Sequence, residues 1–241
     1  GRLGVGQFLT FDGYVAGSDT PGKTGDEYTY SLAADYDSRL WQWGAAFSEV
    51  GDSFNPEVGF LARSDYRFTS LRLLRRFRFD DVEWFRELRP HISYREFWNR
   101  DWFTETRFIH IDSHFEFSNG AFFQLPAINF TEEGLTEDFE ISEGIVIPAG
   151  SYNNVEWGFR ANSNLSAPLS VEGRIDLGGF YSGTRYGTDA TLHYRWRDSF
   201  VTSGRVAYYD VNLKEGSFET TLLSVKAAYS ITPRIFLQGT L

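Results

Sequence analysis

His110, Asp112, His114 and Glu116 alternate along one short stretch, as His-x-Asp-x-His-x-Glu. In an extended strand, side chains two apart share a face and successive ones stand ~7 Å from each other. Two imidazoles and a carboxylate are metal ligands by type. At that spacing only two adjacent ones reach a common ion, unless a neighbouring strand adds a ligand. The other chemistry open to them is a charge network with Arg89, His91 and Arg95 on the preceding stretch. No nucleophile with its base and orienting group can be assembled, and no glycine-rich phosphate loop or spaced zinc motif is present. Cysteine is absent, which removes disulfides and thiolate chemistry. The expectation is a protein that is not an enzyme and uses no cofactor, with a metal at His110, Asp112 and His114 as the secondary reading.

A larger set of charges recurs at alternate positions. Arg72, Arg76, Arg78, Arg89 and Arg95 make a basic stripe over two consecutive stretches. Glu116, Glu156, Arg160, Glu172, Arg174, Asp176, Asp189 and Arg195 continue the charged face further along. Such a stripe can attract anionic solutes or set up a field across a pore. It can also pair with Asp112, Glu116, Glu156 or Glu172 and brace an interior, which the similar number of acids favours. Glu132, Glu133, Glu137, Asp138, Glu140 and Glu143 read as a solvated acidic loop.

The elements that would carry these groups are strands. Leu169, Val171, Ile175 and Leu177 alternate with Ser170, Glu172, Arg174 and Asp176; Leu192 and Tyr194 alternate with Asp189, His193 and Arg195. Val155 and Trp157 oppose Glu156 and Arg160, and Ile109, Ile111 and Phe115 oppose the histidine stretch. Period-two alternation with an apolar and a charged face, repeated along the chain, predicts a wall between lipid and water. The apolar set is expected outside and the charged set inside. Pro90 predicts a bulge in its strand, because it has no N–H for the ladder.

Aromatic residues make up 18% of the 241 residues, against 41% apolar in all, which suits aromatic girdles at the rims of such a wall. No apolar run approaches the ~20 residues of a membrane helix. A net charge of −10 argues against nucleic acid as a partner. Short connections at residues 37–39, 118–120, 164–167, 197–199 and 232–234 alternate with longer ones at 18–27, 50–65, 126–151, 178–185 and 210–217. That asymmetry predicts short periplasmic turns and long extracellular loops. The expected fold is all-β: a single domain over residues 1–241, an antiparallel up-and-down transmembrane β-barrel of about 12–14 strands. Counting from Val5 gives about thirteen, an odd number, so a closed barrel would need a further strand or a hairpin hidden in residues 122–130.

Phe54-Asn55-Pro56-Glu57-Val58-Gly59-Phe60, followed by Arg63, Asp65 and Tyr66, resembles a loop of a large bacterial family. Ile147-Pro148-Ala149-Gly150-Ser151-Tyr152, Gly179-Phe180-Tyr181-Ser182-Gly183-Thr184-Arg185 and Leu213-Lys214-Glu215-Gly216-Ser217-Phe218 match in the same order. Members of that family join a module similar to family 9 carbohydrate-binding domains to a C-terminal domain of unknown function, expected to be an outer-membrane barrel. The resemblance implies a fold, a Gram-negative outer membrane, and a barrel that continues beyond Leu241 and follows the missing binding module. It implies no activity and no catalytic residue. The expected function is a pore or membrane anchor that handles carbohydrate or another polymer-derived solute. The alternative is a closed barrel that docks a partner protein, and an outer-membrane hydrolase is the remote third reading. Lipid is the expected partner in every case.

Overall fold

A computed structural model describes residues 1–57, 59–61, 63–197, 199–232 and 234–241. Among them there is no helix, and the strands run β1 (Arg2–Val5), β2 (Leu9–Gly17), β3 (Tyr28–Asp37), β4 (Trp41–Val50), β5 (Tyr66–Arg75) and β6 (Phe77–Arg78). They continue through β7 (Phe85–Trp98), β8 (Thr104–Phe117), β9 (Phe122–Leu135), β10 (Phe139–Ser142), β11 (Ile145–Ile147) and β12 (Gly150–Asn162). The chain ends in β13 (Leu169–Phe180), β14 (Gly183–Trp196), β15 (Phe200–Asn212), β16 (Ser217–Thr232) and β17 (Ile235–Thr240). All but β10 and β11 belong to one antiparallel sheet, in which neighbours follow chain order except that the two-residue β6 pairs with β7 and not with β5. The β10–β11 hairpin stands between β9 and β12, which pair directly. No pairing among the described residues joins β1 to β17.

Alternation of direction sorts the connections to two ends. Residues 6–8, 38–40, 79–84, 118–121 and 163–168 turn at one end. Residues 18–27, 51–65, 99–103, 136–149, 181–182 and 213–216 connect strands at the other, here called the loop end. Asn55, Gly150, Ser182 and Lys214 therefore share the loop end, while Ser38 and Asn119 lie opposite. Asp198 and Pro233, read as turn centres, lie outside the described residues. Two expected long loops are short: the sheet continues to Phe180↔Gly183 and to Asn212↔Ser217, leaving only residues 181–182 and 213–216.

Register carries the two faces across the sheet. One row runs Leu9, Tyr36, Trp43, Leu73, Ile92, Ile111, Ile128, Trp157, Leu177 and Tyr186, each opposite the next. A row on the other face runs Arg89, His114, Gln124, Arg160, Arg174 and Asp189. Burial is the inverse of a soluble sheet. Leu169 and Leu192 on the apolar face are 59% and 53% exposed, and Leu71, Ile111, Val155, Val171 and Ile175 are exposed with them. On the polar face Glu87, Asp112, Gln124, Asn129, Ser170 and Thr191 are buried.

Three expectations are corrected. The sheet has fourteen strands in line, not thirteen, because β1 precedes β2 through the tight turn at residues 6–8. That count is even, so parity no longer demands another strand. Residues 122–130 hide no hairpin, for β9 is continuous. Pro90 carries no bulge: it stays in register opposite Ser113, and its missing N–H appears instead as the gap between β5 and β6 on its other side. The bulge falls in β9, where Leu125, Pro126 and Ala127 oppose only Asp112 and Ser113 of β8.

Candidate functional site

Asp112 lies at the middle of β8, opposite the bulge, where β9 pairing lapses between Ile111 and His114. Its carboxylate is fully buried and is surrounded by three imidazoles. Oδ1 is 2.7 Å from Nδ1 of His91, its cross-strand partner on β7. Oδ2 is 3.0 Å from Nε2 of His110 and 3.2 Å from Nε2 of His114. Donor atoms of His91, His110 and Asp112 all lie within 4.8 Å of one another. The sequence pattern already placed His110, Asp112 and His114 on one face. His91, the ligand from the neighbouring strand, was recognised only as one of the nearby charges, since cross-strand register cannot be read from one strand. Nδ1 of His110 is 2.6 Å from Oδ1 of buried Asn129 on β9.

The cluster opens on a cavity of about 270 Å³ lined also by Ser93, Arg95, Gln124, Arg160, Arg174 and Asp176. Two further polar-face cavities adjoin it. One, of about 440 Å³, shares Ser93 and Arg95 and reaches Arg72 and Asp35; the other, about 460 Å³, shares Arg160 and Arg174 and reaches Glu172, Asp189 and Arg205.

The basic stripe lies on the polar face and pairs locally. Arg76 donates to Asp37 at 2.7 Å, Arg78 to Glu87 at 3.2 Å, and Arg89 pairs with Glu87 at 3.5 Å and with Glu116. Arg95 lies over the Phe108 ring at 4.8 Å; neither it nor Arg72 has a carboxylate partner among the described residues. Further along, Arg174 meets Asp176 at 2.5 Å, Glu156 accepts from Arg185 at 2.6 Å, Asp189 holds Arg205 and Glu172 meets His193 at 3.1 Å. Arg160 and Arg195 have no ion pair among the described residues.

A second group went unrecognised in the sequence. At the loop end the apolar face turns charged. Glu49 accepts from the Tyr28 hydroxyl at 2.8 Å, the Tyr30 hydroxyl at 3.1 Å and Arg67 Nε at 3.0 Å, while Arg67 stacks on Trp102 at 4.3 Å. Glu96 accepts from Thr104 at 2.8 Å, and Arg107 pairs with Glu132. Glu132 and Glu133 are thus strand residues of β9, not part of an acidic loop. Beyond them Asp138 accepts from the Ala149 amide and Glu140 from the Gly144 amide, which order the β10–β11 hairpin. Ile145 and Ile147 of that hairpin are buried, and a Cβ on Gly216 would come within 3.1 Å of Ile145. Phe139 and Tyr152 lie against the Tyr181 ring, and Arg185 over Phe180, whereas Phe60 stands exposed.

An antiparallel sheet with one exposed apolar face, and an opposite polar face that carries buried carboxylate, amide and hydroxyl groups, is the class this geometry defines. No protein-family model matches the sequence, and no curated protein is significantly similar to it. Residues 54–60, 147–152, 179–185 and 213–218, the four stretches singled out in the sequence, all fall at the loop end; Val58 lies outside the described residues.

Proposed function

We propose that this chain forms the wall of a transmembrane β-barrel in the outer membrane of a Gram-negative bacterium, whose polar lumen admits a carbohydrate-class solute. The carrying observation is the inverted burial: a continuous apolar face is exposed while carboxylates and amides are buried, and imidazoles half-buried, behind it. In water such a face is an aggregation surface far larger than monomeric proteins leave open. Against acyl chains it is the favourable surface, and the polar face then lines the interior. The sheet is also staggered. A row perpendicular to the strands starts at the turn end of β2 and passes through Tyr186 to Asp210 and Glu219 at the loop end, the drift that tilted barrel strands require. Three adjoining cavities along the polar face favour a wet lumen. The carbohydrate class rests on the loop-end resemblance and on the aromatic group around Tyr181.

The β10–β11 hairpin supports a second reading, a barrel occluded at the loop end that anchors or docks a partner, because its Ile145 lies against Gly216 in the β15–β16 turn and Ile147 is buried. Planar-bilayer recording separates the two. A pore gives unitary conductance that rises when residues 138–148 are replaced by a short glycine linker. Silence in the intact protein and in the shortened variant, with both folded and inserted, would leave only the docking reading.

A further inference from the structure

The geometry points to a divalent transition-metal site in the sheet's polar face, with His91, His110 and Asp112 as ligands and His114 as the fourth. This inference needs the β7–β8–β9 register and is independent of barrel closure. Three of the chain's four histidines converge on one carboxylate, although one comes from a different strand. Two ligands on a tetrahedral Zn²⁺ at ~2.0–2.1 Å stand ~3.3 Å apart. The N···O separations are 2.7 Å to Oδ1 and 3.0 and 3.2 Å to Oδ2, and the ligand atoms of His91, His110 and Asp112 lie within 4.8 Å of one another, so the side chains draw together by rotation to seat an ion.

Hydrogen bonding alone leaves the cluster unsatisfied. Asp112 Oδ1 is buried without a hydrogen-bond partner, although His91 Nδ1 is 2.7 Å away, because the approach lies off the donor direction. An unsatisfied buried carboxylate oxygen is costly, and a cation removes that cost. On His110 the two nitrogens divide their roles. Nδ1 lies 2.6 Å from Asn129 Oδ1 and Nε2 3.0 Å from Asp112 Oδ2; in the neutral ring that donates from Nδ1, the Nε2 lone pair faces the carboxylate. Two acceptors in contact need a cation between them. A proton could serve that one contact but would not account for Oδ1. An outer hydrogen bond that fixes the imidazole tautomer is how metal-bound histidines are oriented.

The backbone is shaped for the same end. The β9 bulge releases the pairing opposite Asp112 and Ser113, and bulges commonly re-aim side chains beside sites. Of the neighbouring guanidiniums, Arg89 meets Glu87 and Glu116, Arg95 lies over the face of Phe108, and Arg160 lines the same cavity; none is ion-paired to Asp112 among the described residues. Imidazole and carboxylate ligands suit Zn²⁺ and its first-row neighbours rather than Ca²⁺ or Mg²⁺. With four protein ligands the site is closed, and its role is to tie β7 to β8 from the polar side.

The test uses the full chain, folded in detergent, stripped with chelator and titrated with Co²⁺. About one equivalent should bind with the intense visible ligand-field band of a tetrahedral site, and Zn²⁺ should bleach it. His91→Ala should abolish the band, His193→Ala on β14 should leave it intact, and Asn129→Ala should weaken binding by about 10–100-fold. Should a variant misfold, the unaltered protein still decides: with its β circular dichroism intact, no band at stoichiometric Co²⁺ overturns the proposal. So does a band that survives His91→Ala, because the cross-strand ligand is what distinguishes this site from an adventitious histidine pair.

Discussion

Glu49 sits two residues beyond Phe47 on the apolar face of β4, yet it is buried, held by two tyrosine hydroxyls and Arg67. Removing one member of such a group strands the charge of the other. Glu49→Ala is expected to cost about 3 kcal/mol, read as a lowered denaturant midpoint, and Glu49→Gln less, because the amide still accepts from the tyrosines. Lower on the same face the surroundings change and so does the expected penalty. In a bilayer, Ile175→Arg should cost about 2–4 kcal/mol, whereas Asp176→Asn should escape the lipid cost and lose only its ion pair with Arg174. Equal destabilisation by the two, in vesicles, would contradict the assignment of faces to lipid and lumen. Alternation along β13 made those two faces legible, since every second residue from Ser170 to Gly178 is charged or small. Glu49 was not legible. The apolar run Trp41, Trp43, Ala45, Phe47 gives no sign of the height at which the face turns polar, because Tyr28, Tyr30 and Arg67 arrive from other strands.

Two prolines show what can be read at the scale of an element. Both lack an N–H, and both disturb a ladder, but the disturbances differ because their neighbours do. Pro90 interrupts pairing to one side only, where β5 gives way to β6. Pro126 sits in a true bulge, beside the histidine cluster. Which proline bulges depends on the residue count of the partner strand, and that is a property of pairs rather than of single strands. The acidic segment was misjudged for a related reason: Glu132 is a strand residue whose charge is met by Arg107, a cross-strand neighbour. The ends of the elements are better determined, since antiparallel alternation assigns every connection to one side. Cysteine at Lys214, in the β15–β16 turn, should react with an impermeant maleimide on intact cells, and cysteine at Asn119 should not. The opposite labelling pattern would mean that the sheet is inserted upside down.

Along the main sheet, β7, β8, β9 and β14 have 14 residues each and β16 has 16, while β1 has 4 and β17 has 6. Fourteen strands ~4.8 Å apart and tilted ~40° would close to a wall about 28 Å across, wide enough for an oligosaccharide unless the loop-end hairpin covers it. β1 and β17 run antiparallel, so a ladder between them is allowed. Apart from β6, each strand of the sheet lies beside its successor in the chain, and no connection crosses over another strand. A gene encoding such a sheet can gain or lose one hairpin by duplication or deletion without disturbing any other pairing. Perimeter is then a heritable quantity that changes in steps of two strands, while a site spanning β7, β8 and β9 passes intact through enlargement at either margin.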